Sequence, residues 1–512
     1  MRHNKVAISI AGATIDRALE RISAARSVAD IIEFRLDYLT DLPIDDPRPA
    51  VARLIRSTDR PVILTYHPDQ VRSSEGAVDV EFQRRFWQQL FPFAESRPVQ
   101  FDLDIEVAEA FLKRSEPVPW AQVIVSYHNF EQTPTDLLDV YRRLAATPAG
   151  VLKIATMARD LTDNLLLLAV LERARREGRP TIALGMGEAG VISRILAPTW
   201  GSFLTFGSLT AEEATAPGQL TARELISLYR VPQLTPDTHV TGVIGNPVSH
   251  SLSPRMHNEA FKRLHLNWVY LPLLVKDLRR FMTDFVHPST RKIPWSLRGL
   301  SVTIPHKVAV VRYLDRVDET ARAVGAVNTV VIEGNRLVGY NSDVVGALRP
   351  LQSRLDLRGA RVVILGAGGA ARAVVYALRR AEADVLVLAR RLDRAEQLAQ
   401  RFGVRAGHLS DVAGIEYDIL INATPVGLEN PDRDSIVPSS ALRPGTIVFD
   451  LVPIGTETRL LREARRRGCR TISGLEMLVH QAAVQFQLWT RHRAPLSVMW
   501  EAIGESERVR EH

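Results

Sequence analysis

The sequence predicts an α/β protein in which an N-terminal (β/α)8 barrel is followed by a second α/β part that contains a Rossmann domain. Three observations predict this class. A strand–loop–helix unit repeats eight times before residue 231, a proline-bearing break follows, and a glycine-rich turn comes directly after a strand near residue 366. Eight such units in about 230 residues are typical of a (β/α)8 barrel.

The eight predicted barrel strands are short apolar runs rather than strictly alternating segments. Parallel strands that are covered on both faces have this pattern. The runs are Val6–Ile10, Ile31–Leu36, Val62–Tyr66, Val99–Ile105, Gln122–Tyr127, Val151–Ala155, Thr181–Leu184 and Phe203–Phe206.

The break between the two parts is the segment 231–237, Val-Pro-Gln-Leu-Thr-Pro-Asp, which holds two prolines and no apolar period. Such a segment is typical of a linker. We therefore predict three domains. They are a barrel over residues 1–232, an α/β substrate domain over 239–342 that a helical segment at about 475–505 completes, and a nucleotide-binding domain over 343–474.

Composition excludes several classes of protein. Of the 512 residues, 46% are hydrophobic and 24% are charged, as in ordinary globular proteins. No run approaches the roughly 18 apolar residues of a membrane span, and the N-terminus lacks the apolar core of a signal peptide. The formal charge of +7 is small, and the arginines are scattered along helical segments. We therefore expect neither a membrane nor a nucleic-acid partner.

The single cysteine, Cys469, excludes an internal disulfide framework and is typical of a reducing compartment. We therefore expect a cytoplasmic protein. The histidines are dispersed along the sequence, and this pattern predicts no metal site. The sequence does not predict an oligomeric state.

Lys153 is the most informative residue of the barrel, because it lies inside the apolar strand Val151–Ala155. A buried lysine is costly unless it is paired or its pKa is lowered, and a neutral amine is a nucleophile for a ketone. His128 ends the neighbouring strand, where an imidazole could move protons on a carbon next to an imine. The alternatives are a lysine that reaches the barrel rim or pairs with Glu33, and a structural histidine.

Other polar side chains stand at the C-terminal ends of the predicted strands, where barrels of this class hold their active sites. Arginines at this edge match a carboxylate substrate through paired hydrogen bonds. The polar residues at this edge are Glu33, Arg35, Asp37, His67, Ser126, Arg194, Thr215 and Gln219.

These motifs resemble type I 3-dehydroquinate dehydratases over about residues 4–230. The matching segments are Glu33-Phe-Arg35-Leu-Asp37, Ser126-Tyr-His128, Val151-Leu-Lys153-Ile-Ala155, Gly187 to Arg194, and Ala216-Pro-Gly-Gln219. The resemblance implies that Lys153 forms a Schiff base with the substrate ketone. It implies that His128 takes the proton at the adjacent carbon and then assists the loss of water. The groups implied to hold the acid and the hydroxyls are Ser9, Glu33, Arg35, Arg194, Thr215 and Gln219, and His67 is a further candidate for substrate binding.

The sequence departs from that family after the third strand, where His67 stands in place of the usual arginine. The Glu-Gly-Gly element of the family corresponds to Glu75-Gly76-Ala77, after a longer loop that contains Arg72. Arg72 could replace the missing arginine. The resemblance implies that Glu75 is a catalytic partner that orients His128.

A dinucleotide-binding signature, Gly366-Ala-Gly-Gly-Ala-Ala371, follows a strand and opens a helix. Its glycines let the backbone approach a pyrophosphate at the helix N-terminus, whereas the alternative is a glycine-rich turn without a ligand. After the next strand the chain has Arg390 and Arg394 rather than the acidic residue of an NAD enzyme, so we predict NADP as the cofactor. The expected cofactor-binding residues are Gly366, Ala367, Gly368, Gly369, Ala370, Arg390, Arg394, Thr424, Leu451 and Gly474.

Four further motifs precede or follow this signature, and together they resemble shikimate dehydrogenases over about residues 240–505. The motifs are Gly245 to Pro254, Ser301 to Lys307, Gly325 to Asn328 with Gly339 to Asp343, and Gly474 to Gln481. The resemblance implies a two-domain dehydrogenase, with an α/β substrate domain and a Rossmann NADP domain. Pro453 stands where the family often has a tyrosine, and Ser301 stands where asparagine is common.

The resemblance implies roles for the residues of these motifs. Lys307 and Asp343 would form a catalytic pair that exchanges the proton on the reacting oxygen, and Ser251 and Ser253 would bind the substrate carboxylate. Hydrogen bonds to the ring hydroxyls would come from Thr303, Asn328 and Gln481.

The leading hypothesis is a bifunctional enzyme of the shikimate pathway. It would convert 3-dehydroquinate to 3-dehydroshikimate, then reduce 3-dehydroshikimate to shikimate with NADPH. Two alternatives stay open: a dehydrogenase that acts on quinate, with NAD as a possible cofactor, and a degenerate barrel that only binds metabolites. The sequence does not predict whether the intermediate passes directly between the two sites.

Overall fold

The computed structural model describes residues 4–68, 79–95, 97–455 and 457–504. Among these residues the chain forms two compact units. The first comprises residues 1–238, 272–285 and 290–296, and the second comprises residues 239–271, 286–289 and 297–512. The predicted domain boundaries stay predictions, because this division places two short segments of the predicted substrate domain in the first unit.

A curled, barrel-like sheet of nine parallel strands forms the N-terminal part, in the order β7-β6-β5-β4-β3-β2-β1-β8-β9. The backbone N–H of Phe203 donates to the carbonyl of Thr181 at 2.8 Å, which links the start of β7 to the segment before β8. All eight predicted strands are present, and the short β9 was not predicted. The strands are β1 (Val6–Ile10), β2 (Ile31–Arg35), β3 (Val62–Thr65), β4 (Val99–Asp104), β5 (Val123–Asn129), β6 (Val151–Met157), β7 (Thr181–Met186), β8 (Thr205–Ser208) and β9 (Leu220–Thr221).

Helices follow the strands, as the repeating sequence pattern predicts. Polar residues begin several of them: Thr14 accepts from the backbone N–H of Arg17, and Asp79 accepts from that of Phe82. The helices of this part are α1 (Ile15–Arg26), α2 (Arg48–Arg56), α3 (Val80–Leu90), α4 (Ile105–Arg114), α5 (Leu137–Ala145), α6 (Asn164–Glu177) and α7 (Val191–Leu196).

Apolar side chains from most of the strands fill the interior of the curled sheet, so this interior is a packed core and not a channel. The cluster is made of Ala7, Ile31, Ile63, Ile124, Val151, Ile182, Leu184, Leu204 and Phe206. The polar side chains at the C-terminal ends of the strands therefore lie over an apolar layer of the barrel-like sheet.

A mixed six-stranded sheet follows, in the order β11-β10-β12-β14-β15-β13, with β14 antiparallel to both β12 and β15. Its strands are β10 (His239–Gly245), β11 (Trp268–Leu274), β12 (Ser296–Val302), β13 (Arg316–Val317), β14 (Thr329–Glu333) and β15 (Arg336–Tyr340). The helices near it in the chain are α8 (Ser253–Arg263), α9 (Leu278–Phe281) and α10 (Glu319–Val324).

The last sheet is a parallel Rossmann sheet, in the order β18-β17-β16-β19-β20-β21. Its strands are β16 (Arg361–Leu365), β17 (Asp384–Ala389), β18 (Arg405–His408), β19 (Ile419–Asn422), β20 (Ile447–Asp450) and β21 (Arg470–Ile472). The helices α11 (Asp343–Gln352), α12 (Gly369–Arg380), α13 (Leu392–Phe402) and α14 (Arg459–Arg466) accompany it. The strand order reverses between β16 and β19, which is where such sheets bind nucleotides.

Two late helices, α15 (Gly474–Thr490) and α16 (Leu496–Glu501), return to the mixed sheet. Trp489 Nε1 donates to the carbonyl of Val330 on β14 at 3.0 Å. A Cβ at Gly299 would lie 2.1 Å from that same Nε1, so only glycine lets the tryptophan approach. The α/β class is confirmed: a barrel-like N-terminal part precedes two further α/β pieces.

None of the helices in the described residues combines the length and the apolar character that crossing a bilayer requires.

Candidate active sites

Strands β4 and β6 bring a lysine and a carboxylate together inside the barrel-like sheet. The Lys153 side chain in the middle of β6 is buried, with 7% of its surface exposed. Its Nζ donates to Oδ2 of Asp102 at 2.5 Å and lies 4.0 Å from Oε1 of Glu33. The centroid of the Phe206 ring is 4.6 Å from Nζ. The lysine therefore stays inside the sheet, and its nearest anionic partner is Asp102 rather than Glu33.

Two histidines share a second carboxylate next to this pair. His67 follows β3, and its Nδ1 lies 2.8 Å from Oδ2 of Asp104. The Nδ1 atom of His128, at the end of β5, lies 3.7 Å from Oδ1 of the same carboxylate. The two imidazole centroids are 4.9 Å apart. The two histidines are distant in sequence, and the parallel strands β3, β4 and β5 bring them to one edge of the sheet. The predicted absence of a metal site stays a prediction.

The two histidines have opposite electrostatic environments. Burial opposes the charge of His67, but the carboxylates of Asp104 and Asp102 outweigh it and raise its pKa to about 10. Burial lowers the pKa of His128 to about 4, and the positive charges of Lys153 and His67 act in the same direction against Asp104. These environments favour the protonated form of His67 and the neutral form of His128, which can accept a proton.

Hydroxyl and amide groups from β1, from β3 and from the loop between β8 and β9 meet at the same mouth. Ser9 donates to Glu33 at 2.5 Å, and Thr65 donates to the other oxygen of Glu33 at 2.7 Å. The Gln219 amide donates to Ser9 Oγ at 3.3 Å and accepts from the backbone and the hydroxyl of Thr215, at 2.6 and 3.1 Å. The structure therefore brings the predicted hydroxyl-binding residues together.

The two predicted arginines, Arg35 and Arg194, differ in whether a carboxylate of the protein already pairs with them. Arg35 is held by both oxygens of Asp37, at 3.0 and 2.6 Å, and lies over the Tyr38 ring. Arg194 donates to the carbonyl of Pro217 at 3.2 Å, and in the described part of the chain it has no carboxylate partner. Burial lowers the pKa of Arg194 to about 10, so it stays charged at neutral pH. Arg194 is the better placed of the two for an anionic substrate group.

Two residues of the predicted site, Glu75 and Arg72, lie outside the described residues. Their predicted roles stay predictions.

A second lysine–carboxylate pair lies in the second unit. Lys307 Nζ donates to Oδ2 of Asp343 at 2.6 Å, and 16% of the lysine side chain is exposed. The Asn328 amide donates to the other oxygen of Asp343 at 2.8 Å. Asp343 begins helix α11 and is buried. Its carboxylate is therefore oriented from two sides, and Lys307 stays accessible to a small molecule.

A chain of hydrogen bonds connects this pair with the interior of the mixed sheet. Tyr270 donates to Ser301 at 2.7 Å, and Ser301 donates to Gln485 at 2.7 Å. The Gln485 amide donates in turn to Thr329 Oγ1 at 3.0 Å, and Thr329 donates to the Asn328 side chain at 2.8 Å.

The remaining predicted residues of this site lie around the same point. Gln481 accepts from Ser342 at 3.3 Å, beside Asn328. Ser253 is buried at the start of α8, and its backbone N–H donates to Ser251 Oγ at 3.3 Å. The backbone of Thr303 donates to Ile244 at 2.9 Å, which holds the loops after β10 and β12 together.

The glycine-rich turn lies next to Lys307. Gly366 ends β16 with φ +106°, and a Cβ there would lie 2.7 Å from Cγ2 of Thr424. A Cβ at Gly368 would meet no atom within 4 Å, and one at Gly369 would lie 3.5 Å from the Lys307 side chain. The turn therefore offers open space for a ligand on the side where Lys307 stands.

The other predicted cofactor residues lie just after the later strands of the Rossmann sheet. The backbone oxygen of Val452, which follows Leu451, would lie 2.4 Å from a Cβ at Gly474. Arg390 and Arg394 are exposed after β17 and form no ion pair within the described residues, whereas Arg391 pairs with Asp393 at 2.8 Å. The two free arginines are thus available to an anion.

Known proteins match both halves of the chain. The family model described as Type I 3-dehydroquinase matches residues 6–236. Three others cover the second half: the Shikimate dehydrogenase substrate binding domain over residues 243–330, Shikimate / quinate 5-dehydrogenase over 349–451, and the Shikimate 5'-dehydrogenase C-terminal domain over 474–503.

One relative spans both halves. The bifunctional 3-dehydroquinate dehydratase/shikimate dehydrogenase, chloroplastic, of Arabidopsis thaliana is 35% identical over 519 residues, which cover 96% of this chain and 83% of the relative. The chain belongs to the bifunctional 3-dehydroquinate dehydratase/shikimate dehydrogenase family. Residues 6–236 are its dehydratase half, and the rest of the matched chain is its dehydrogenase half.

The dehydrogenase half has further relatives. Shikimate dehydrogenase (NADP(+)) of Methanopyrus kandleri is 43% identical over 286 residues, 53% of this chain and 97% of that protein. A crystal structure of shikimate 5-dehydrogenase from Thermus thermophilus, in complex with NADP(H) and shikimate, is 38% identical over 52% of this chain and 99% of that one, with a TM-score of 0.47.

These matches confirm three predictions: the family of each half, the enzyme class of each half, and the leading hypothesis of a bifunctional enzyme. The enzyme is a lyase in its dehydratase half and an oxidoreductase in its dehydrogenase half. A barrel that only binds metabolites is correspondingly disfavoured.

Sequence reasoning missed several polar residues of the two halves, among them Asp102, Asp104, Tyr270 and Gln485. One signal could have found the first two. They alternate on β4, as Glu33 and Arg35 do on β2, and alternating residues of a strand share one face. Tyr270 and Gln485 carry no such signal, because their partners are distant in sequence.

Proposed function

We propose that the dehydratase half removes water from 3-dehydroquinate through an imine on Lys153, and that the dehydrogenase half reduces 3-dehydroshikimate to shikimate with NADPH. The observation that carries this proposal is the same in both halves. A lysine stands beside a carboxylate, among hydroxyl, amide and arginine groups that match a ring acid with hydroxyls. The domain boundaries proposed for these roles are residues 1–232, 239–342 with about 475–505, and 343–474.

In the dehydratase half, the Lys153 ammonium beside Asp102 passes a proton to the ketone oxygen, and the amine that results attacks the carbonyl carbon. A C–N bond forms, a second proton moves from the nitrogen to the oxygen, the oxygen leaves as water, and a protonated imine stays on the lysine. Neutral His128 accepts the proton from the adjacent carbon and gives it to the departing hydroxyl, so that a second water leaves. Hydrolysis of the imine consumes one water and frees both the product and Lys153, which leaves a net loss of one water.

The other groups of this site bind the substrate. Arg194 pairs with its carboxylate. Hydrogen bonds to its hydroxyls come from Ser9, Glu33, Thr215 and Gln219. The proposed contributions of Arg35 and His67 are electrostatic, because both already face carboxylates of the protein.

In the dehydrogenase half, Ser251 and Ser253 bind the substrate carboxylate, and Thr303, Asn328 and Gln481 fix the ring hydroxyls. Lys307 donates a hydrogen bond to the reacting oxygen and passes it a proton, while Asp343 holds the lysine in place. When bound, the reduced cofactor supplies hydride to the ring carbonyl carbon.

The open space at Gly368 and the free arginines fit a dinucleotide with a 2′-phosphate. Gly366, Ala367, Gly368, Gly369 and Ala370 would surround its pyrophosphate. Arg390 and Arg394 would bind the 2′-phosphate, and Thr424, Leu451 and Gly474 would line the rest of the cleft.

The proposed compartment is the cytoplasm, in keeping with a single buried cysteine, Cys469. The Arabidopsis relative is named as chloroplastic.

Chemical trapping tests the imine. Borohydride added with 3-dehydroquinate should reduce the protonated imine and leave a covalent mass on the peptide that contains Lys153, detected by mass spectrometry. Borohydride alone is the control. If full dehydratase activity persists during trapping and no adduct forms, the imine mechanism is wrong.

Coenzyme preference tests the arginines. Replacing both Arg390 and Arg394 with glutamine should raise KM for NADPH about tenfold or more, since a hydrogen bond to a charged group contributes about 1.5–3 kcal/mol. KM for NADH should change little, because NADH lacks the 2′-phosphate. Arg391→Gln is the matched control, because Asp393 already occupies that arginine. Equal effects on both coenzymes would contradict the assignment, and quinate in the same assay tests the alternative substrate.

A further inference from the structure

A continuous row of charged side chains connects Lys153 with His128. Asp102 accepts from Lys153 through Oδ2, and its other oxygen lies 3.6 Å from Nε2 of His67. Nδ1 of the same imidazole lies 2.8 Å from Asp104, which faces His128 with its remaining oxygen. Each of these five residues is buried or nearly so, with at most 11% of any of these side chains exposed.

We propose that His67 is held as a permanent imidazolium between Asp102 and Asp104, and that this buried Asp–His–Asp bridge positions Lys153 and His128 for the successive steps of dehydration. The proposal rests on the imine mechanism proposed above and adds three positioning residues to it: His67, Asp102 and Asp104.

Charge balance is the first argument. Two buried carboxylates need positive partners, because an unpaired charge in the interior is strongly destabilising. Lys153 is the positive partner of Asp102. Among the described residues, the ionisable side chains that face Asp104 are the two histidines. His67 lies within hydrogen-bond distance of Asp104, at 2.8 Å, whereas His128 lies 3.7 Å away, so the geometry makes His67 the cation that balances Asp104. The pKa of His67, raised to about 10 by the two carboxylates against burial, agrees with this.

Among the described residues, the neighbouring strands place no other cation beside Asp104. On β2, Glu33 accepts from Ser9 and Thr65, and Arg35 is held by Asp37. On β6, Lys153 contacts Asp102. The imidazolium therefore lies between two anions on β4, with neutral His128 on β5 beside it and Lys153 beyond Asp102.

The bridge has a consequence for each reacting residue. The imine nitrogen carries the same positive charge as the ammonium that it replaces, so Asp102 stays its counter-ion after the C–N bond forms. Asp104 faces Nδ1 of His128 at 3.7 Å, which is longer than a hydrogen bond. Such contacts shorten when substrate binds, and a bond there would keep the proton on Nδ1 and leave Nε2 as the base.

An imidazolium also accounts for the departure from the family at this position. Arginine is usual there and is always charged. A histidine between two carboxylates supplies the same charge on a shorter side chain. The charge is thus kept, although the residue differs.

Three variants test the bridge in the full-length enzyme. His67→Arg keeps the charge and should retain dehydratase kcat within about tenfold. His67→Gln and Asp104→Asn should each lower kcat about 100-fold with a smaller change in KM, which is the usual contribution of a well-oriented general base. Glu109→Gln is the matched control, because this carboxylate pairs with Arg143 on an exposed helix face. The dehydrogenase rate of each variant shows whether the dehydrogenase half of the same chain is still folded.

The pH profile separates a charge from a merely structural role. Without the cation, the pKa of each carboxylate should rise by about one unit or more. The acid limb of dehydratase kcat/KM should then move to higher pH in His67→Gln and not in His67→Arg. Histidine-selective 15N NMR at pH 8 gives a second readout, in which the parent should show one imidazolium signal that His67→Arg removes.

The outcomes are distinct. A neutral His67 signal at pH 8, or unchanged kcat in both His67→Gln and Asp104→Asn, overturns the bridge. If the borohydride adduct on Lys153 forms as usual in these experiments, only the bridge has failed. If the parent gives no adduct, the imine mechanism has failed, and the NMR signal then decides the charge of His67 independently.

Discussion

Replacing Lys153 with arginine is expected to lower dehydratase turnover by on the order of 10⁴-fold or more, while the dehydrogenase rate of the same chain stays unchanged. A guanidinium cannot form an imine with the ketone, and the loss of a nucleophile removes most of the catalysis that its partners support. The arginine keeps the positive charge that Asp102 requires. The measurement is steady-state dehydration of 3-dehydroquinate, with reduction of 3-dehydroshikimate as the internal reference.

A second substitution separates chemistry from stability. Lys153→Met removes both the amine and the charge, so Asp102 loses its nearest cation. Breaking a buried pair in this way costs about 3–5 kcal/mol, and we expect thermal unfolding of the dehydratase half at lower temperature as well as loss of turnover. Lys153→Arg should lose only turnover. Dehydratase activity within tenfold of the parent in Lys153→Arg would exclude the lysine as nucleophile.

Replacing Lys307 with methionine is expected to lower the rate of 3-dehydroshikimate reduction about 10³-fold, with little change in NADPH affinity. The pair Lys307–Asp343 handles the proton of the reacting oxygen, and a positioned proton donor contributes about 10²–10⁴-fold. Single-turnover reduction gives the rate, and quenching of protein fluorescence gives the affinity. Because 16% of the lysine side chain is exposed and Asn328 still donates to Asp343, we expect a smaller loss of stability than for Lys153→Met, which thermal unfolding measures.

A matched control for this variant is Lys262→Met. Lys262 forms an exposed pair with Glu259 on α8, at 3.4 Å, and such pairs contribute little. The same chemical change should therefore leave the reduction rate as it is. If Lys307→Met reduces the substrate at the parental rate, or if both lysines behave alike, Lys307 has no part in the proton transfer.

Much of this molecule could be predicted from sequence because its signals are local. Short apolar runs predicted all eight main strands, and the turn at Gly366 predicted the nucleotide edge of the Rossmann sheet. Lys153 and Lys307 were found because a lysine in an apolar strand, or in a motif of fixed order, is conspicuous without any structure.

The features that could not be predicted depend on which side chains face one another. Asp102 belongs to a strand whose neighbours are decided only when the sheet forms, so its contact with Lys153 was invisible. His67 was correctly singled out as unusual, but its charge depends on two carboxylates that lie 35 and 37 positions later in the chain. The short strand β9 was missed, because two residues carry no measurable period.

Gln481 and Gln485 on helix α15 have a consequence for synthesis of the chain. These amides lie against Asn328, about 150 residues earlier, so the dehydrogenase site stays incomplete until residue 485 has been translated. The dehydratase half is translated first, and domains generally fold as units in that order. In a nascent chain the dehydratase site would thus be complete while the dehydrogenase site still lacks the side chains of helix α15. Errors late in translation would then abolish reduction and spare dehydration.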